Sequence, residues 1–287
     1  MNGAPEPNAG EAPEPTAERA PEPVSDAGPD TQAWLELALA VCDEADALAL
    51  GGFRRDLHIR TKPDRSLVTQ VDEAIERHVR ERILAAYPDH GLVGEEYGEE
   101  AGAGATRWYV DPIDATHNFV RGVPVFATLV AAEHQGRLQV AVVSAPALGQ
   151  RWFAHRGGGA WARAAGGPAR RLRTSAVGRI EDASLAYSSP ASVEPRAPGL
   201  REVLARAWRD RGFGDFWGYA LLAEGAVDAM VEVGIHSWDL AAPTLLVEEA
   251  GGRVTDFRGR PSFAGPTVLA SNGPLHEELL RDLRGVP

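Results

Sequence analysis

Apolar residues recur at helical spacing from Ala33 to Leu50, through Trp34, Leu37, Ala38, Val41, Ala45 and Leu48, and Gly51-Gly52 ends the run. Cys42 lies inside this stretch and is placed there as a small apolar group. A second helix is predicted over Gln70–Tyr87, where Val71, Ile75, Val79 and Ile83 stand four apart. Two short apolar stretches follow, Leu92-Val93 and Trp108–Val110, each running into polar residues. Phe126–Glu133, Leu138–Ser144 and Arg151–Ala154 alternate as strands do, and His134–Arg137 reads as the hairpin turn between the first two. The Gly- and Arg-rich patch Arg156–Arg173 reads as a loop plus an edge strand.

After Ser175 the pattern becomes strand–helix alternation. Strands are predicted at Ser184–Tyr187, Val227–Val233, Arg253–Thr255 and Val268–Ala270. Helices are predicted at Leu200–Arg211, Tyr219–Glu224, Leu240–Ala250 and Leu275–Leu283. The fold class is therefore α/β, with an α+β half over 31–175 and an α/β half over 176–287. No internal repeat is visible.

Composition removes several alternatives. The 287 residues are 44% hydrophobic and carry a net charge of −12, which argues against a broad nucleic-acid or anionic-membrane surface. One cysteine excludes a disulfide framework or a Cys-rich zinc site, so the expected location is cytoplasmic. Residues 1–30 hold seven Pro and seven acids against Arg19, the composition of a disordered acidic tail. That stretch lacks the basic start and apolar centre of a signal peptide, and no apolar run reaches the roughly 18 residues of a membrane span.

The candidate chemistry is carboxylate chemistry. In Trp108-Tyr-Val-Asp-Pro-Ile-Asp-Ala-Thr-His-Asn-Phe119 an apolar strand runs into Asp111, and Pro112 is expected to end its ladder. Asp114 follows three residues on, close enough for both acids to point at one volume, where they would repel unless cations neutralised them. Three more acids stand at element ends: Glu95 after Leu92-Val93, Asp239 before an apolar helix, and Asp72 at the start of the Val71 helix. Each has a structural alternative. Asp111 and Asp114 suit a turn, Asp239 suits an N-cap, Asp72 suits the N3 position behind Thr69, and Glu95 suits a solvated loop.

Taken together, Leu67–Asp72, Gly94–Glu96, Trp108–Phe119, Trp238–Ala242 and Glu249–Gly252 resemble the inositol monophosphatase superfamily, in order and over roughly 33–284. The resemblance implies a five-layered αβαβα sandwich of the inositol monophosphatase and fructose-1,6-bisphosphatase type. It implies a Mg²⁺-dependent phosphomonoesterase that uses two or three ions and forms no covalent intermediate. By position, the metal ligands would be Glu95, Asp111, the carbonyl of Ile113, Asp114 and Asp239. Thr116 with Asp72 would activate water, and the backbone N–H groups of Ala115 and Thr116 would hold the phosphate. Homodimers are common in this family, so a homodimer acting on a small phosphate ester is expected, with no nucleic acid or membrane partner.

Within the family, Arg211–Phe216, Tyr219, Leu222–Asp228, Asn118–Pro124 and Val143–Ala147 resemble the actinobacterial histidinol-phosphatase branch. The resemblance makes Asp215 that branch's substrate-side acid, while Glu232, seven before Asp239, matches the position that contacts substrate hydroxyls in inositol monophosphatases. Two acids on one wall suit an ammonium or imidazolium leaving group better than a neutral polyol, which points to L-histidinol phosphate or a related amine-bearing or nucleoside-like phosphate. Gly234–Asp239 looks more like the inositol enzymes, which keeps inositol 1-phosphate and other sugar or nucleotide phosphates as alternatives. A binding protein with little catalysis is an alternative of another class. Three positions depart from the family's usual residues. Ala115 stands where Gly is usual, so its methyl either accepts an ordinary φ or crowds the phosphate. His117 replaces Lys or Thr, and Pro243 lies early in the Asp239 helix.

Overall fold

The computed structural model describes residues 30–285; the acidic segment read as a disordered tail lies outside the described residues, except for Asp30. The long amphipathic run forms α1 (Thr31–Gly52), capped by Asp30, whose carboxylate accepts from the Ala33 N–H at 3.0 Å. Gly51 and Gly52 are its last residues. A short hairpin, β1 (Ile59–Thr61) and β2 (Leu67–Thr69), leads into α2 (Gln70–Ala86), which buries Val71, Ile75, Val79 and Ile83 on one stripe.

The first sheet collects β3 (Gly91–Gly94), β4 (Gly98–Glu100), β5 (Thr106–Asp114), β6 (Ala127–His134), β7 (Arg137–Ala145), β8 (Gln150–His155), β9 (Gly159–Ala164) and β10 (Arg170–Arg171). Their order is β10-β9-β8-β7-β6-β5-β3-β4, antiparallel except for β3 against β5. The Gly- and Arg-rich patch thus supplies two strands, with β10 at the edge. A six-residue helix, α3 (Thr116–Arg121), interrupts the passage from β5 to β6.

The second sheet collects β11 (Ser184–Tyr187), β12 (Arg209–Arg211), β13 (Ala229–Ile235), β14 (Arg253–Thr255) and β15 (Gly265–Ser271), in the order β12-β11-β13-β15-β14. Around it run α4 (Pro190–Val193), α5 (Leu200–Arg206), α6 (Asp215–Ala223), α7 (Ser237–Glu249) and α8 (His276–Leu283). Helices α1 and α2 cover the outer face of the first sheet, α6 and α7 fill the space between the sheets, and α4, α5 and α8 cover the far side. Three apolar clusters fill the four interfaces, one of them spanning both sides of the middle helical layer, so the layers run αβαβα, as the resemblance implied. Among the described residues no helix is long and apolar enough to cross a membrane.

Two expectations are corrected. The helix expected over Leu200–Arg211 stops at Arg206, and Arg209–Arg211 becomes the edge strand β12, pairing in parallel with β11. Leu200 and Val203 are buried, but Trp208 beyond them is 70% exposed, so continuing the helix would bury nothing while the sheet edge offers backbone partners. Pro112 likewise does not end β5. The strand continues to Asp114 through a bulge, because Asp111 faces Leu129 and Asp114 faces Ala127 on β6.

Candidate active site

That bulge assembles the site. In a regular strand, residues three apart point to opposite faces; one extra residue in β5 relative to β6 turns Asp114 back toward the side of Asp111. The Thr128 hydroxyl stabilises the bulge by donating to the Pro112 carbonyl at 2.8 Å. Asp239, third residue of α7, comes from the middle helical layer to meet them. One carboxylate oxygen each from Asp111, Asp114 and Asp239 lies within 4.8 Å of the others.

The charges in this group are not balanced internally. Burial, then Glu95 and Asp114, push Asp111 well above the ordinary carboxylate range; burial, then Asp215 and Asp239, do the same to Asp114. Asp114 keeps one strong donor, the Phe216 N–H at 2.6 Å, and Asp239 accepts from the His236 N–H at 2.6 Å. Oδ1 of Asp111 is buried with no hydrogen-bond partner. An orphaned carboxylate oxygen beside two more carboxylates is the donor set of a hard cation, and it contains no thiolate and no imidazole. The residues therefore fit Mg²⁺.

Glu95 follows β3 and lines the same cavity of about 600 Å³, together with Asp215 and Glu232. It stands apart from the three-carboxylate group because Lys62 holds it, donating from Nζ to Glu95 Oε1 at 2.8 Å and to Glu96 Oε1 at 2.7 Å. Burial still lifts Glu95 above its ordinary value and brings Glu96 to about 7. Lys62 was not legible beforehand: it sits in a Lys-Pro-Asp-Arg turn with no motif around it, and only the strand on either side would have hinted at a fixed position.

Asp72 is fully buried and takes the N3 capping position weighed for it, with its second oxygen turned toward Thr116. Its Oδ2 accepts from the Thr69 N–H at 2.9 Å and the Thr69 hydroxyl at 2.5 Å, the reciprocal cap of α2. Its Oδ1 faces the Thr116 hydroxyl at 3.4 Å, while that hydroxyl donates to the Ile113 carbonyl at 2.9 Å. The carbonyl and the hydroxyl are thus held side by side at the head of α3.

Ala115 adopts φ 66°, ψ 46°, so the expectation that its methyl might accept an ordinary φ is wrong. The chain must reverse between β5 and α3 within one residue, and only the left-handed region does that; for Ala the cost is ~1 kcal/mol. Asp215, φ 57°, opens α6 in the same way. Strain at two residues facing one pocket fits a site whose geometry the surrounding structure imposes. From this turn the Asp215 N–H reaches Glu232 Oε1 at 3.4 Å, and Tyr219, one helical turn on, donates its hydroxyl to Glu232 Oε2 at 2.9 Å. Burial and Asp215 together raise Glu232 from its ordinary 4.5 to about 8. His117 lines the cavity and opposes the rise at Asp215. His236 and Trp238 stack at 4.6 Å on its rim, a ledge that was not anticipated although Trp238 is in the motif.

Comparison with known proteins completes the picture. A sequence model of the inositol monophosphatase family matches residues 30–287. A histidinol-phosphatase of Mycobacterium tuberculosis is 46% identical over 254 residues, covering 87% of this chain and 97% of the relative. One from Streptomyces coelicolor is 44% identical over 253 residues, covering 86% and 95%. Among solved structures, the extragenic suppressor protein suhB from Bartonella henselae superposes with a TM-score of 0.81 at 30% identity, covering 88% of this chain and 98% of that one.

Proposed function

The chain belongs to the inositol monophosphatase family, and from that premise we propose that it is a Mg²⁺-dependent phosphomonoesterase acting on L-histidinol phosphate. The supporting observation is the convergence of Asp111, Asp114 and Asp239 around an orphaned oxygen, beside a pocket also lined by Asp215 and Glu232. Glu95, Asp111, the Ile113 carbonyl, Asp114 and Asp239 would hold the metal. Bound there, Mg²⁺ would neutralise the phosphate and the leaving oxygen and lower the pKa of water in the pocket.

The protein's own groups do the rest. The Thr116 hydroxyl, backed by Asp72, orients a water for in-line attack on phosphorus. As the new P–O bond forms, the ester P–O bond breaks. The leaving oxygen takes a proton and departs as the alcohol, and inorganic phosphate remains. The N–H groups of Ala115 and Thr116 at the head of α3 face the phosphate oxygens. Asp215 and Glu232 receive the cationic end of the substrate; burying two acids there is costly without a counter-charge, and an ammonium or imidazolium supplies it. We further propose a cytoplasmic homodimer.

Steady-state kcat/KM on L-histidinol phosphate and on inositol 1-phosphate, with Mg²⁺ and with EDTA, tests this reading. A clear preference for the amine, abolished by EDTA, supports it. Equal or reversed preference defeats the cation argument, and turnover unaffected by EDTA defeats the metal assignment.

A further inference from the structure

A cleft of about 770 Å³, remote in sequence from the acid cluster, is bounded by the α4–α5 loop, the β14–β15 loop and the end of α8. Four arginines line it, Arg196, Arg258, Arg260 and Arg284, against one acid, Asp256. That acid is engaged within its own turn. Its Oδ1 accepts from the N–H groups of Arg258 at 2.8 Å and Arg260 at 2.9 Å, and its Oδ2 from Arg260 Nε at 2.8 Å. The turn so built presents Arg258 and Arg260 while its only negative charge is matched by Arg260. Arg284 is anchored through Nε to the Phe257 carbonyl at 3.0 Å, which leaves both of its terminal amino groups available. Among the described residues, no ion pair involves Arg196, Arg258 or Arg284.

An adjoining cleft of about 430 Å³ shares Pro261, Ser262 and Ala264 with the first and adds Arg137 and Arg156. Thr244 lines it; this residue is 4% exposed, and its hydroxyl has no hydrogen-bond partner. Arg156 is matched by Glu248, whereas Arg137 makes no ion pair among the described residues. Collecting guanidinium groups from separate elements around one concavity costs self-repulsion, and a multiply charged anion would relieve it. Each guanidinium is a planar fork that grips phosphate or carboxylate through two N–H groups.

We propose that this double cleft binds a compact polyanion, a ligand bearing two or more phosphate or carboxylate groups, at a site separate from the catalytic pocket. The two sites are nonetheless neighbours. Gly265 and Thr267 in the wall of the arginine cleft pair with Ile235 and Val233, which line the acid pocket one strand away. The test must therefore separate them.

Inorganic tripolyphosphate and citrate are titrated calorimetrically into the full-length chain stripped of metal and dialysed free of chelator, where carboxylates outnumber the cations of the catalytic pocket. Saturable binding is expected for at least one probe, weakening with salt as exposed ion pairs do. The Arg258→Glu/Arg284→Glu variant should bind at least tenfold more weakly, with Mg²⁺-dependent turnover retained as evidence of folding. Asp239→Asn should bind as the parent does, and Arg258→Lys/Arg284→Lys should fall between. Absence of saturable binding for both probes, equal affinity in the Glu variant, or loss of binding in Asp239→Asn would each overturn the proposal.

Discussion

Two groups of acids gather against the first sheet, and they are built on opposite logic. On the α1 side, Arg151 donates to Asp43 at 2.6 Å, to Asp46 at 2.6 Å and through Nε to the Ser144 hydroxyl at 2.9 Å, and Ser144 donates on to Asp46. Acids, hydroxyl and cation close on themselves and bind α1 to β7 and β8. Burial still raises Asp46, but Arg151 opposes it directly. At the end of β5 the nearby cation, Lys62, is taken up by Glu95 and Glu96, and the largest charged neighbours of Asp111 are Glu95, Asp114 and Asp239, all acidic. The first group completes its own electrostatics and is structural. The second is completed only by something from solution, and that incompleteness marks it as the working site.

The sharpest way to break this contrast is to neutralise one member of each group. Asp111→Asn should lower kcat/KM by about 10³-fold, roughly 4 kcal/mol, since it removes the fully buried carboxylate of the proposed metal site. The same change relieves like-charge repulsion, so the metal-free protein should melt no lower than the parent. Mg²⁺ should raise the melting temperature of the parent and leave that of the variant nearly unmoved. A variant that melts lower and loses activity in proportion would make Asp111 a structural acid after all.

Arg151→Met should do the reverse. Removing the cation strands the partly buried Asp46 while the exposed Asp43 keeps its water, and chemical denaturation should show a loss of about 1–3 kcal/mol. Turnover per folded molecule should stay near the parent's. A large fall in kcat without a fall in stability would erase the distinction drawn between the groups.

Legibility from the sequence follows the same division. The spacing of Asp111 and Asp114, and their recurrence with Glu95, Asp239 and Asp72 at element ends, could be read because such acids sit in short local strings. Helical stripes such as Val71–Ile83 followed from periodicity, which needs little context, whereas the five layers came only with the family resemblance. What could not be read depends on partners distant in the chain. The bulge that turns Asp114 round is a property of the β5–β6 register, and Pro112 alone suggested a strand end. Lys62 acquires meaning only when its loop meets Glu95 and Glu96. The strand at Arg209–Arg211 exists because β11 offers an edge, a fact foreign to its own residues.

A finer test lies in the same pocket, where Glu232 has a folded pKa of about 8 against an ordinary 4.5. The fold favours the neutral carboxyl, so stability of the metal-free parent should fall as pH rises from about 5 to 8, because the unfolded chain loses that proton first. Glu232→Gln keeps an uncharged group beside the Tyr219 hydroxyl. It should flatten this slope and gain about 1–3 kcal/mol at pH 8 in denaturant titrations, while raising KM for the amine substrate more than for inositol 1-phosphate. An unchanged slope would mean that Glu232 is already compensated in the free protein, as Asp46 is in the α1 group.

The smallest effect is expected at Ala115, where φ 66° places a methyl-bearing residue in the left-handed region. Ala115→Gly removes a strain of ~1 kcal/mol in the folded state. It also restores freedom to the unfolded chain, which costs about 0.4–1 kcal/mol. The two changes oppose each other, so the melting temperature should move by less than the equivalent of about 1 kcal/mol. Activity separates what stability cannot. If the methyl crowds the phosphate, Gly raises kcat/KM, whereas a methyl pointing clear of it leaves the kinetics unchanged. Either result bears on the opening comparison, because a backbone held in a costly conformation beside unbalanced acids belongs to a region shaped for its ligand, and the Arg151 group contains no such residue.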